Sequence, residues 1–113
     1  MHEMSLMESV LEIVEEEARR AGATKVKAVR LDIGELSHVE PEAMRFCFEA
    51  VVRGTIAGDA VLEIVRVPGQ GWCLDCSETV ALSERFGACP KCGGHKVQMT
   101  GGDDMRVAEL EVE

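Results

Sequence analysis

Two close pairs of cysteines constrain this chain more than any other feature. Cys73 and Cys76 lie in "CLDC", Cys89 and Cys92 in "CPKCGG", and twelve residues separate the pairs. Two Cys-x2-Cys turns bring four thiolates together, a donor set that suits a tetrahedral ion of borderline softness, zinc above all. Gly93 and Gly94 permit the left-handed backbone that such a turn needs. Trp72, beside Cys73, is expected to pack over the site. Four cysteines leave no coordination position open, so the ion is expected to be structural rather than hydrolytic. It replaces a hydrophobic core that a stretch of roughly 30 residues cannot build. Iron in a rubredoxin-like site uses the same pairs, although the poverty of aromatics counts against it. A set of redox dithiols is the other alternative. The fifth cysteine, Cys47 in "RFCF", shares a helix face with Met44 and Val51 and reads as a small core residue.

Hydrophobic periodicity places the elements around this lobe. Over residues 5–21, Met7, Val10, Leu11, Val14, Ala18 and Ala21 fall on one helical face. Ser5 and Glu8 have capping-box spacing, which predicts a start near Leu6 and leaves Met1 to Glu3 outside as a free arm. Arg19, Arg20 and Gly22 fit the end of that helix. Residues 25–33 read as a strand with a one-residue phase slip, from a bulge or from burial of both faces. Ser37 and Glu40 repeat the capping-box spacing, and Pro41 suits the first turn of a helix over about 40–55. Residues 60–67 form a second strand. The breakers Pro68, Gly69 and Gly71 open the cysteine lobe, and strand character returns from Met105 to Val112. A lone C-terminal strand does not persist in water, so it is expected to pair with the strands that precede the lobe. The fold class expected is α+β, two helices packed on a small three-stranded sheet with an inserted zinc-ribbon-like lobe. Its domains are 1–67 plus 103–113, and 68–102.

The balance of 12 Lys and Arg against 21 Asp and Glu gives a net charge of −9. That field repels phosphate backbones and suits cations or a basic partner. No apolar run approaches the roughly 20 residues that span a bilayer. The N-terminus lacks a basic n-region and an apolar h-region. The expectations are no nucleic acid, no membrane and a cytoplasmic location.

The histidines are His2, His38 and His95. His38 falls in a loop. His95 follows "CGG" as a turn residue or a further ligand for a second metal. His2 differs because of its place in "MHEMSLMESV". The Met1 amine and the His2 amide nitrogen close a five-membered chelate ring. The amide nitrogen and His2 Nδ1 close a six-membered one. Three nitrogens then lie in one plane, with the Glu3 amide, the Glu3 carboxylate or a distant imidazole as the fourth donor. Planar nitrogen sets suit Ni(II) or Cu(II) and disfavour zinc. Any chain that begins Met-His has this option, so the motif alone is weak.

The whole pattern resembles the HypA/HybF family, nickel metallochaperones of NiFe-hydrogenase maturation. "MHEMSLMESV" is similar to the family's opening, "LDIGELSHVEPEAMRFCFE" to its central segment, and "CLDC" with "CPKCGG" to its zinc motif. The resemblance implies a nickel-binding α/β domain, with two helices against three strands, plus a zinc domain. It implies nickel ligands at Met1 (amine), His2 and Glu3, and zinc ligands at Cys73, Cys76, Cys89 and Cys92; His95 is a further nickel candidate by its place on the lobe alone. It implies Zn2+ as structural ion and Ni2+ as cargo. The implied partners are a maturation GTPase and the hydrogenase large-subunit precursor, with urease as a second client. The expected oligomeric state is monomer or weak homodimer.

No nucleophile–base pair with an orienting third group stands in the pattern, so no enzyme is expected. The rival readings are a zinc-ribbon adaptor or nucleic-acid-binding module without a nickel function, and a thiol redox sensor. The lobe carries only Arg85, Lys91 and Lys96 as cations, which is no phosphate track.

Overall fold

The computed structural model describes residues 2–113. Its elements are α1 (His2–Arg20), β1 (Val26–Gly34), α2 (Pro41–Val51), β2 (Val61–Val67), β3 (Gly69–Cys73), β4 (Glu78–Leu82), β5 (Val97–Gly101) and β6 (Met105–Val112). The strands form two three-stranded sheets, ordered β2-β1-β6 and β4-β3-β5. The expected α+β class therefore holds. Among the described residues, no helix is long and apolar enough to cross a membrane.

The chain divides into two compact units. The first comprises 1–32, 40–65 and 106–113, and the second 33–39 and 66–105. In the first unit α1 packs on α2. Met7, Val10, Val14 and Ala18 supply the buried stripe of α1, and Met44, Cys47 and Phe48 that of α2. Cys47 is fully buried, as a small core residue should be. Val29 and Leu31 of β1 are also fully buried.

The C-terminal strand pairs as expected. Glu113 N–H reaches Lys25 O at 2.9 Å, and Gly34 N–H reaches Asp104 O at 2.8 Å. Opposite ends of β6 thus meet opposite ends of β1, and the two run antiparallel. On the other side, Val26 N–H bonds Ile56 O and Glu35 N–H bonds Val67 O, each at 2.9 Å. That order makes β2 parallel to β1, and α2 lies in the crossover such a pair requires. The phase slip in β1 coincides with burial of both faces: Leu31, Asp32, Ile33 and Gly34 are all buried. Asp32, the buried carboxylate, meets Arg30 Nε at 3.1 Å and Arg106 Nη2 at 3.6 Å.

Two helix starts differ from the capping-box expectation. α1 begins at His2, not near Leu6, and runs straight through the exposed Ser5. Glu3 lies one turn before the buried Met7, so the inward-facing stripe extends back to it. For α2, the N-cap residue is Glu40, with no side-chain cap. Ser37 instead bonds its own loop: its hydroxyl donates to Gly34 O at 2.6 Å and accepts from Val39 N–H at 3.3 Å. A serine three residues before a glutamate serves a turn equally well. α2 also stops at Val51 rather than Thr55. The Thr55 hydroxyl donates to Val52 O at 2.6 Å and closes the next turn.

The second unit takes in 33–39, a segment that the sequence reading grouped with the helices. Backbone hydrogen bonding draws it there. Leu36 N–H reaches Gly102 O at 2.8 Å, and Arg85 Nε donates to Leu36 O at 2.7 Å. Glycines make the approach possible. A Cβ on Gly34 would stand 2.1 Å from Gly102 O.

Candidate metal centres

The first centre grows out of the sheet of the second unit. In β3, Gly69, Gly71 and Cys73 are buried while Gln70 and Trp72 face out. Cys73 therefore sits on the inner face at the end of β3. Leu74 N–H bonds Lys96 O at 2.9 Å, and β3 pairs with β4 antiparallel from Gly69↔Leu82 to Cys73↔Glu78. The second pair stands on the connection between β4 and β5. Cys73, Val80 and Cys89 form the buried cluster, with Cys76 and Val97 packed against it.

Trp72 does not cover this cluster. It lies on the opposite face of β3 and is 39% exposed. Strand alternation sends adjacent residues to opposite faces, so a tryptophan next to an inward cysteine points outward. Val80 and Val97 take the place expected of it.

The two cysteine turns are built alike. Ser77 N–H bonds Cys73 O and Gly93 N–H bonds Cys89 O, each at 2.8 Å. Cys76 N–H points at Cys73 Sγ at 3.4 Å, and Cys92 N–H at Cys89 Sγ at 3.5 Å. The residue after each second cysteine is left-handed, with φ of 53° at Ser77 and 75° at Gly93. Glycine thus serves the second turn as the sequence suggests. The first makes the same turn with a serine, and no glycine signals it.

All four sulfurs lie within 4.8 Å of one another. Cys73 Sγ is 3.7 Å from Cys92 Sγ, and Cys76 Sγ is 3.9 Å from Cys89 Sγ. A tetrahedron with Zn–S near 2.3 Å has an edge of about 3.8 Å. A disulfide needs about 2.05 Å. The geometry is that of a tetrathiolate cage and not of two disulfides. Protonation points the same way. The N–H groups of Cys92 and Lys91 draw the Cys89 thiol down to about 7. Hydrogen bonds with Cys92 and then Cys73 push Cys76 up to about 12. Sulfurs this close cannot all ionise alone, and a dication removes the conflict.

The second candidate set lies at the start of the chain. Met1 is outside the described residues. His2 is exposed, and its Nδ1 is 3.8 Å from Glu3 Oε2. The Glu3 side chain is only 17% exposed. Its own N–H first, and then the N–H of Glu40, draw the carboxylate below the usual carboxylate range. Both residues belong to the first turn of α1, where backbone N–H groups have no acceptor within the helix. The amide nitrogens of His2 and Glu3 are therefore available as donors without loss of helical hydrogen bonds. His95 is exposed in the loop before β5. Among the described residues, the four cysteines are the one group of three or more potential ligands gathered together. His2, Glu3 and His95 join no such group.

Two helices on one sheet, and a second sheet whose loops gather four thiols, define a small metal-binding α+β protein. The chain belongs to the HypA family, whose description reads hydrogenase/urease nickel incorporation, metallochaperone, and which it matches over residues 1–112. The hydrogenase maturation factor HypA of Rhizobium leguminosarum bv. viciae is 66% identical over 112 residues, 99% of each chain. That of Dechloromonas aromatica is 62% identical over the full length of both. The solution structure of the Ni metallochaperone HypA from Helicobacter pylori superposes with a TM-score of 0.71 at 31% identity, covering 97% of this chain and 96% of that one. The sequence resemblance thus holds at the level of family.

Proposed function

We propose that this chain carries Ni(II) at its N-terminus and hands it to the precursor of a NiFe-hydrogenase large subunit, in concert with a maturation GTPase. The ligands are the Met1 amine, the His2 amide nitrogen and Nδ1, and a donor from Glu3. The unit of residues 1–32, 40–65 and 106–113 is the nickel-binding domain, and that of 33–39 and 66–105 the zinc domain. Cys73, Cys76, Cys89 and Cys92 hold a structural Zn2+ that cross-links the two turns of the lobe and supplies no chemistry. The family description, which names both hydrogenase and urease, supports a nickel cargo and leaves urease as a second client.

The observation that carries this reading is the start of α1 at His2. Planar nitrogen ligation must deprotonate backbone amides, and an amide inside a helix would give up its hydrogen bond to do so. In the first turn there is no such bond to lose. The fourth donor comes from Glu3, through its carboxylate or its amide nitrogen. Nickel and copper prefer this planar set, whereas zinc prefers the thiolate cage.

The test is metal titration of the chain with its native terminus, beside a His2→Ala variant and a chain extended ahead of Met1. The native chain should hold one tight zinc and take up one nickel with planar-nitrogen absorption. Both altered chains should lose the nickel and keep the zinc. Planar nickel binding by the extended chain would overturn the assignment.

A further inference from the structure

The outer side of β6 is an open sheet edge, since the order of its sheet is β2-β1-β6. A groove of about 450 Å³ runs between this strand and α1, lined by Ile13, Ala21, Ala108, Leu110 and Val112. Ile13 is 49% exposed and Val112 36%. Ile13 stands outside the buried stripe of α1, so packing within the unit does not account for an isoleucine there.

The charged side chains that line the groove have one sign. Its charged lining residues are Glu17 and Glu109. Along β6, Ala108, Leu110 and Val112 alternate with Glu109, Glu111 and then Glu113 at the strand end. The cations that reach these acids come from β1 and α1: Lys27 to Glu111 and Glu113, Arg30 to Glu109, and Arg20 to Glu17. Four carboxylates thus meet three cations, while Arg106 at the start of β6 meets Asp32, so the edge keeps a net negative charge. A second copy of the chain is a poor occupant, because joining two β6 edges sets their glutamate rows against each other.

We propose that this edge docks an extended basic segment of a partner protein by strand addition to β6. The backbone of the segment pairs with the free side of β6. Its alternate apolar side chains fill the groove beside Ile13, and its Lys or Arg side chains face Glu109 and Glu111. The alternation on β6 sets the register: a matching segment alternates cation and apolar residue.

The test uses the full zinc-loaded chain and three capped octapeptides. One alternates Lys and Val, one alternates Glu and Val, and one has four Lys followed by four Val. Binding is read from backbone amide shifts and a titration. The alternating basic peptide should shift β6 amides and the Ile13 methyl signals, and should weaken as salt rises. The blocked basic peptide, with the same charge, should bind roughly tenfold more weakly, since its apolar residues cannot alternate into the groove. In the Glu109→Lys/Glu111→Lys chain, preference should switch to the acidic peptide. The ion pairs lost there are exposed and cost little stability, which a thermal scan checks. Equal binding of the two basic peptides would reduce the interaction to net charge and overturn the proposal. So would shifts that avoid β6, or concentration-dependent β6 shifts without peptide, which would mark a second copy as the occupant.

Discussion

The backbone N–H of Glu40, at the start of α2, helps to draw the Glu3 carboxylate of α1 below its ordinary range. The N-cap of α2 has no side-chain cap of its own. The Glu3 amide acts on the same carboxylate, so a proposed nickel donor and an acid-sensitive group belong to one residue.

The lowered Glu3 carboxylate gives a prediction for acid. The Glu3 pKa is lowered in the folded chain from an ordinary 4.5. A depressed carboxylate contributes stability that is present above its unfolded value and is lost as pH falls through the folded one. Thermal midpoints of the native chain and a Glu3→Gln variant should differ at pH 7. The gap should begin to narrow as pH drops below about 5. A gap that stays constant down to pH 3 would remove the carboxylate from this role.

The cysteine cage predicts that exposure and importance diverge. Cys92 is an exposed residue, whereas Cys73 is fully buried. On burial alone, Cys92→Ala should be nearly neutral and Cys73→Ala costly. If both sulfurs hold one ion, both variants should lose it and both should melt the second unit. Bound zinc and the amide dispersion of residues 66–105 report this. Chelation of the ion should do the same while α1 keeps its far-ultraviolet helical signal, because its stripe packs on α2.

The two cysteine turns should respond oppositely to glycine chemistry. Gly93 has φ of 75° with nothing within 4 Å of a built Cβ, so Gly93→Ala meets only backbone strain. The expected cost is about 1 kcal/mol. Ser77 has φ of 53° and already bears that strain. Ser77→Gly should be neutral or stabilise by less than about 1 kcal/mol, as relief of strain is offset by unfolded-chain entropy. Zinc competition measured on both variants would show the two signs, about fivefold in affinity for the first.

Backbone crowding makes a harder prediction for Gly34. An added Cβ would stand 2.1 Å from Gly102 O and 2.9 Å from Asp103 N, and neither is a flexible side-chain end. Gly34→Ala should destabilise by about 3 kcal/mol through forced backbone shifts. Gly22→Ala, where nothing lies within 4 Å, should cost about a third of that for its φ of 69° alone. Urea denaturation of the two variants side by side decides whether the close approach matters.

Much of the architecture is legible in the sequence. Apolar periodicity gives the stripe of α1 from Met7 to Ala18, and alternation gives β6 as a strand. The demand that a late strand find partners gives its place beside β1. The cysteine spacing gives the sulfur cluster outright, because two Cys-x2-Cys turns have few other ways to close. What misleads is local chemistry with two equivalent outlets. A Ser-x-x-Glu run can cap a helix or close a turn, and at Ser37 the hydroxyl chose Gly34 O. A tryptophan beside a cysteine suggests contact, but strand alternation separates them. The influence of Glu40 N–H on the Glu3 carboxylate is invisible in sequence, since the two are 37 positions apart.

By itself the sequence determined which chemical groups are present and their local spacing. That was enough for helices, strands, the thiol set and the family. Only the tertiary structure decided that α1 reaches back to His2 and that residues 33–39 join the unit holding the cysteines. The second outcome turns on a hydrogen bond between residues far apart in the chain, Leu36 with Gly102. Periodicity records which side of an element is apolar. It does not record which distant donor will meet which acceptor, and those pairings set which unit a segment joins.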